Sequence, residues 1–397
     1  MDAAAFERAL VRGRQGLSRR WRYSAAATWL HGVQAGAGQR IGGPPPVRLL
    51  IVTDGSSYTS EQQIAPLMRH AGGLRRAAGL VLRRMPLDQA LATPKLPDCD
   101  ALGLKLGFDT PRQTAAQIAR QLRHTLPRGR PLIYFDGDDD LGVVFPEVLA
   151  ECDVWLKKHV FAEPERYLEP RIGKTNLTDH VAKLGKADFT NDITPSSDGL
   201  DPALVPRISL GWNIAFDDVI ATLAARPRIE RPRDIDISCR AMIPDGSWIE
   251  ALRGPAIEAI RALDERYKVH APETRVPQAV YYDEMLRSRI SVSPFGFGEI
   301  CWRDFEVMLC GALLIKPDMG HLRTAPDLFR PHETYVPCAW DFSDLGEICD
   351  RYLSDPAAAE AIASRAEREL RRCLEGDATV ELLLSALRRA GLPIGAA

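Results

Sequence analysis

Two residues one helical turn apart, Arg303 and Glu306, carry the first chemistry the sequence offers. They follow Gly296 and Gly298 and precede a short apolar run that Lys316 closes. Glycines at such spacing permit a tight turn and let a ligand approach the backbone. The spacing of Trp302, Phe305 and Leu309 predicts a helix over 302–310 that starts just beyond the loop. A helix start presents unpaired N–H groups and partial positive charge, which suits an anion such as phosphate. Arg303, in the first turn, adds a forked donor. Glu306 suits a pair of hydroxyls better than a phosphate. Phosphate plus vicinal diol describes a nucleotide or a nucleotide sugar. The competing reading is an ordinary i, i+3 ion pair on the helix surface.

The same stretch resembles a known family. Gly-Phe-Gly over 296–298, followed by Glu306-Val-Met-Leu-Cys-Gly-Ala, is similar to the donor-binding signature of GT-B glycosyltransferases. There a Gly-Phe-Gly loop leads to a helix reading Glu-Ala-Met-Ala-Cys-Gly. Arg303-Asp-Phe-Glu306 also resembles the Arg-Val-Val-Glu of exostosin-type domains. The resemblance implies two doubly wound, Rossmann-like α/β domains facing a cleft. It implies transfer of a sugar from a nucleotide-activated donor to a glycan, lipid-linked or other hydroxyl acceptor, without a catalytic metal. On it Glu306 holds the donor ribose and Arg303 the phosphate. Gly296, Gly298, Glu299, Lys316 and Arg240 complete the expected donor site. One departure stands out. Retaining members often have two glutamates separated by seven residues, whereas Glu299 and Glu306 are separated by six, and Gly298 occupies the earlier position. Inversion and retention both stay open.

The elements that must position these residues alternate along the chain. Residues 47–53 read as a buried parallel strand. Further strands are expected at 79–83, 101–106, 131–135 and 153–158, with helices near 61–71, 111–126 and 145–151. The pattern turns irregular over 160–212 and resumes at 234–239. Helices are then expected over 248–266, 281–287, 344–353, 356–374 and 380–390, with strands at 267–270, 289–293 and 312–315. This gives a basic N-terminal helix and linker over 1–46 and a first α/β domain over 47–226. A second α/β domain, binding the donor, spans 227–375. A final helix over 376–397 is a candidate, by position, to cross back to the first domain.

In open α/β sheets ligands lie beyond the carboxyl ends of the strands. That rule selects Asp54 and Asp136 as candidate catalytic bases for deprotonating an acceptor hydroxyl, with His159 behind them. Asp is also common at turns for structural reasons. Lys316 and Arg303 are the candidates for stabilising a departing diphosphate; a solvated strand end is the other reading of Lys316. His321 reads as a surface turn residue or as one reaching the site. The run from Asp136 to Asp140 invites Mg²⁺ or Mn²⁺, but an acidic loop capping the next helix explains it as well, and no metal is assigned.

Composition bounds the rest. The 397 residues carry 51 Lys plus Arg against 53 Asp plus Glu, a formal charge of −2, so global charge makes no case for nucleic acid. The eight cysteines form no C-x-x-C pair, and their scatter suits reduced, buried thiols. Neither zinc spacing nor a bound cofactor is indicated; the nucleotide sugar would be a co-substrate. No run is long enough to span a membrane, and the expected location is cytoplasmic. The arginine-rich stretch before residue 35 has two readings: an interfacial helix at an anionic membrane or a helix packed on its own domain. Two rivals to a transferase remain: a nucleotide-sugar epimerase on the same architecture, and a non-catalytic binding protein with a degenerate donor site.

Overall fold

The computed structural model describes residues 46–394 apart from 56–60, 140, 174–175, 186–197, 228, 230 and 244–246. The basic helix expected before residue 35, nearly all of the linker, Asp140 and most of the turn cluster at 195–199 lie outside the described residues. The chain forms two compact units. Unit 1 takes the described residues of Met1–Gly137, Glu147–Leu156 and Val380–Ala397; unit 2 takes those of Asp138–Pro146 and Lys157–Thr379.

Unit 1 begins with β1 (Val47–Thr53), then α1 (Ala65–Arg69), α2 (Ala71–Ala78), β2 (Leu80–Pro86) and α3 (Leu87–Ala92). It continues with β3 (Ala101–Lys105), α4 (Arg112–Thr125), β4 (Leu132–Asp136), α5 (Pro146–Glu151) and β5 (Val154–Lys157). The strands lie in the order β2-β1-β3-β4-β5. The β1–β2, β1–β3 and β3–β4 pairs are parallel. Parallel strands covered on both faces lose the alternation of polar and apolar residues, and Leu49 to Thr53, β3 and β4 are buried at every position.

In unit 2 the stretch after β5 holds β6 (His159–Phe161), α6 (Asn176–Lys183), β7 (Ile208–Leu210) and α7 (Asp218–Ala224). A second sheet follows, with β8 (Ile235–Ser238), α8 (Glu250–Arg261), β9 (Val269–His270), α9 (Gln278–Leu286) and β10 (Ser288–Val292). Then come α10 (Trp302–Cys310), β11 (Leu313–Pro317), β12 (Leu322–Thr324), β13 (Val336–Cys338), α11 (Leu345–Ser354) and α12 (Pro356–Leu374). The last helix, α13 (Gly376–Arg389), starts in unit 2 and belongs to unit 1 from Val380 onward.

The sheet of unit 2 runs β13-β11-β10-β8-β9 with every neighbouring pair parallel. Counted within the unit, that is the order 2-1-3-4-5 read from the other edge, the same as in unit 1. This is a doubly wound arrangement. Both faces of the sheet are covered. Successive side chains of a strand point to opposite faces. Leu314 packs with Phe305, Met308, Leu309 and Leu370, whereas Leu313 and Ile315 pack with Ile257, Ile260, Val336 and Leu345. The expected α/β architecture is thus present in each unit.

The units divide at a different place from the sequence reading. Residues 157–226, grouped there with the first domain, pack in unit 2. Strand β6 pairs antiparallel with β12, setting His159 opposite Thr324. Asn213 Nδ2 donates to Thr324 Oγ1 at 2.9 Å and to the Pro326 carbonyl at 3.0 Å. These partners are more than a hundred residues apart in sequence, and no local pattern reveals them.

Candidate functional site

In a doubly wound sheet the ligand crevice opens where the strand order reverses, beyond the carboxyl ends. In unit 2 that point lies between β8 and β10. The first ends at Ser238 and leads into Cys239 and Arg240; the second ends at Val292 and leads into the glycine loop. Ser238 Oγ and Ser291 Oγ lie 3.2 Å apart across the gap.

The loop is a compact turn. Gly296 N donates to the Gly298 carbonyl at 3.1 Å. That lifts Phe297 to the apex, where it is 63% exposed and meets Trp248 edge-on. Neither glycine has positive φ; at Gly298 space is what requires a glycine. A Cβ on Gly298 would sit 2.0 Å from the Asp139 carbonyl oxygen, and one on Gly296 would sit 3.0 Å from Arg253 Nη2.

Helix α10 starts directly behind this turn. Asp304 caps it: Cys301 N donates to its Oδ2 at 3.0 Å and Ser293 Oγ to its Oδ1 at 2.6 Å. Lys316 Nζ lies 3.0 Å from Asp304 Oδ2, with both side chains at 0% exposure, and donates to the Glu299 carbonyl at 2.6 Å. It also faces the rings of Phe295 and Phe329, at 5.2 and 5.4 Å from their centroids. Lys316, expected at the donor phosphates, is an internal strut tying strand β11 to the helix start. The helix ends at Gly311, whose φ of 68° needs a glycine.

Arg303 and Glu306 do not form the surface ion pair that spacing alone allowed. Glu306 is buried and accepts from Tyr282 Oη at 2.9 Å and Tyr281 Oη at 3.1 Å. Burial pushes its carboxyl above the usual range, against the pull of the two tyrosines and of Arg303. Each carboxylate oxygen has a second lone pair, so one tyrosine apiece leaves acceptor capacity. The Nε and Nη1 atoms of Arg303 are sealed from solvent and have no hydrogen-bond partner. Burial pushes the Arg303 guanidinium down, but Cys301, Tyr281 and Cys239 outweigh it and the net direction is up. Unsatisfied buried groups are rare in folded proteins and call for a physical explanation.

Glu299 also faces inward, at 1% exposure. Asn176 Nδ2 donates to its Oε1 at 3.0 Å. His159 Nε2 lies 3.6 Å from Oε2 and His321 Nε2 lies 3.5 Å from Oε1, both beyond a direct hydrogen bond. The three side chains join β6, the β11–β12 connection and the glycine loop. His321 is therefore an interior group rather than a surface turn residue. Arg240 is occupied elsewhere, bonded through Nε and Nη2 to Glu284 at 2.7 and 2.6 Å, with His270 Nε2 at 3.1 Å from the same carboxylate. The cavity beside it measures about 10 Å³, room for about one water. A larger cavity, about 410 Å³, opens among Arg233, Arg289 and Gly311 at the amino ends of β10 and β11, away from the glycine loop.

The two candidate bases belong to unit 1. They sit at the carboxyl ends of β1 and β4. Asp54 Oδ2 accepts from Gly107 N at 2.6 Å, bridging the point where that sheet's order reverses. Asp136 is 1% exposed and accepts from Trp155 Nε1 at 2.7 Å. The acidic run disperses: Asp139 pairs with Lys158 at 2.6 Å, and among the described residues no three His, Cys, Asp or Glu side chains are placed to hold a metal. Sequence reasoning missed Arg253, Tyr281, Tyr282 and Phe297. Phe297 was legible as a large apolar residue between two glycines; Arg253 gave no signal within its helix.

Residues 253–384 match a family model described as "Glycosyl transferase-like". No curated protein matches the sequence. Among solved structures, Anabaena Alr3699/HepE in complex with UDP is similar over 87% of this chain and 100% of its own, at 10% identity and a TM-score of 0.48. The trehalose-6-phosphate synthase OtsA is similar over 86% and 99%, at 11% identity and a TM-score of 0.43. The C-terminal domain of LpcC, a glycosyl transferase group 1 family protein from Francisella tularensis, covers 35% of this chain and 85% of its own, at 11% identity and a TM-score of 0.26. The glycine loop, α10, Lys316 and Arg253 all fall within the matched residues, and that segment of the chain is glycosyl transferase-like.

Proposed function

We propose that the protein transfers a sugar from a nucleotide-activated donor to a hydroxyl acceptor such as a glycan or lipid-linked saccharide. One observation carries the reading: a guanidinium with two sealed, unpartnered nitrogens, Arg303, stands in the first turn of a helix that follows a glycine loop at the reversal point of a parallel sheet. In this reading the donor's diphosphate lies at the start of α10 and Arg303 turns to it. Glu306, already oriented by Tyr281 and Tyr282, takes the ribose hydroxyls. Asp54, the more accessible of the two unit 1 carboxylates, accepts the acceptor's proton. Lys316 and Glu299 act through the loop they hold. Transfer takes place in the cytoplasm, where such donors are made, and contact with a membrane through the basic N-terminal stretch belongs to the same reading.

Titration calorimetry with a panel of nucleosides, their mono- and diphosphates and their sugar conjugates tests it. One diphosphate should bind well above its nucleoside. Arg303→Ala should weaken that diphosphate by roughly ten- to hundred-fold, the size of a hydrogen bond to a charged group, and leave the nucleoside nearly unchanged. Equal affinities in both proteins, or no binding across the panel, would refute the reading. Turnover is expected to survive EDTA; loss restored by Mn²⁺ would make the acidic run a metal site instead.

A further inference from the structure

The cavity among Arg233, Arg289 and Gly311 lies at the opposite end of the unit 2 sheet from the glycine loop, and the donor site makes no use of it. It holds about 410 Å³. Voids larger than a water molecule are few inside a folded protein, whereas small-molecule pockets occupy about 300–1,000 Å³. Small residues leave this space open. Gly311 ends α10 without a side chain. Helix α12 turns Ala359 and Ala363, one helical turn apart, toward the same void. The inner wall is apolar, built by Ile290 and Leu313 from the two strands and by Tyr352 from α11, all buried. The rim is charged. Arg233 donates to the carbonyls of Ser288, Cys310 and Gly311, the last two at 3.0 and 2.5 Å. Carbonyls orient the guanidinium but do not cancel its charge. Arg289 donates through Nε to the Arg233 carbonyl at 3.3 Å, and the same atom lies 3.5 Å from Asp236 Oδ1. A half-exposed pair at that distance is worth little, and among the described residues Arg289 Nη1 and Nη2 donate to no protein group. The lining residues thus carry two guanidiniums against one carboxylate, Glu360.

We propose that this cavity binds a small amphipathic acid, with its anionic group on Arg289 beside Arg233 and its apolar body against Ile290, Leu313 and Tyr352. A guanidinium with both terminal nitrogens unengaged is a planar fork that fits a carboxylate, sulfonate or phosphate group. The excess of one positive charge on the lining favours one negative charge on the ligand; a second would face Glu360. A neutral molecule of the same shape gains the apolar contact but leaves the fork to water. A small inorganic anion gains the fork but not the wall. Each therefore binds less well than a molecule that joins the two. The site stands whether or not the donor-site reading holds, because it shares no residue with the glycine loop or the start of α10.

The test titrates the full chain with anilinonaphthalene sulfonate, a fluorescent amphipathic monoanion. Phenylnaphthylamine supplies the same rings without the charge. The sulfonate should bind at one saturable site, about tenfold more tightly than the neutral dye, the size of a hydrogen bond to a charged group. Arg289→Gln should remove that advantage and leave the neutral dye unchanged. Arg289→Lys should restore part of it, since charge returns without the fork. Glu360→Gln should tighten the sulfonate several-fold. Salt should weaken the sulfonate and not the neutral dye. Ala359→Leu fills the cavity and should abolish binding of both dyes, with the thermal melt showing that the fold is kept. Arg303→Ala, at the other end of α10, should alter neither dye. Equal affinity for the two dyes, or no saturable binding, would overturn the proposal. So would sulfonate binding unchanged in Arg289→Gln. Loss of binding in Arg303→Ala would place the dye behind the glycine loop and overturn it as well. If Ala359→Leu does not fold, Arg289→Gln decides, because that side chain is half exposed and its loss leaves the core intact.

Discussion

Replacing Lys316 by methionine tests whether this residue is a strut or a ligand-binding group. Methionine keeps most of the volume between Phe295 and Phe329 and removes the ammonium. Asp304, also at 0% exposure, then loses its counter-charge. Removing one partner of a buried pair costs about 3–5 kcal/mol, because the other charge is left uncompensated. Here Asp304 keeps Ser293 Oγ at 2.6 Å and Cys301 N at 3.0 Å, and it stays at a helix N-terminus, which favours a carboxylate. Those contacts place the expected loss at the low end, about 3 kcal/mol. For a unit of this size that is a drop of roughly 6–12 °C in Tm. Urea unfolding followed by tryptophan fluorescence measures it. The double variant Lys316→Met with Asp304→Asn should recover much of the loss, since no unpaired charge then remains, and the cycle should return a coupling of about 1–3 kcal/mol. A loss below about 1 kcal/mol in Lys316→Met, the size of an exposed pair, would refute the reasoning. Intact stability with abolished diphosphate binding would return Lys316 to the donor.

Three further outcomes follow from the same geometry. Glu306→Gln keeps an acceptor for one tyrosine but loses the charge; the nucleoside and its diphosphate should weaken alike, by about 1.5–3 kcal/mol in calorimetry, and a loss confined to the diphosphate would place Glu306 elsewhere. Gly298→Ala drives a methyl group toward the Asp139 carbonyl, which as backbone cannot move aside, so the variant should lose about 1–3 kcal/mol of stability in urea unfolding; an unchanged midpoint would show that the loop and the Asp139 segment separate freely. Stability should also fall with acid. Burial pushes the His159 imidazole below its ordinary 6.5, with Lys157 and Lys158 acting the same way and Glu299 opposing them. The unfolded chain therefore takes up a proton that the folded state refuses, and this contribution is whole above pH 6.5 and shrinks below it. A Tm that does not change between pH 7 and 5, or one that falls as steeply in His159→Asn, would count against this cluster.

What the sequence disclosed follows from the physics of its signals. The run 47–53 and the helix 302–310 coincide with β1 and α10, because an unbroken apolar run and a 3.6-residue period are local properties. The glycine loop was legible for the same reason, although close packing against the Asp139 backbone, rather than backbone conformation, requires Gly298. The inward turn of Lys316 was not legible. Strand β11 is buried at every position, so alternation could not mark which polar residue faced the interior. Glu299 shows the other limit: its two histidines lie well separated from it in sequence, at 159 and 321, and only the assembled fold brings them near. The boundary expected near residue 226 followed the break in alternation, whereas the chain changes units where β5 gives way to β6.

The path of the chain through its two units bears on how it matures during synthesis. Unit 1 needs the segment from Val380 onward, in which Leu383, Leu384, Ala386 and Leu387 are buried. At translation rates of about 5–20 residues per second, the 223 residues between Leu156 and Val380 take roughly 10–45 s to emerge. Throughout that interval the nascent first sheet lacks the side chains that close its core, while unit 2 can assemble once Thr379 is free of the ribosome tunnel. The amino-terminal unit, made first, is therefore the last to be completed, and the wait exposes apolar strands to chaperones or to neighbouring chains.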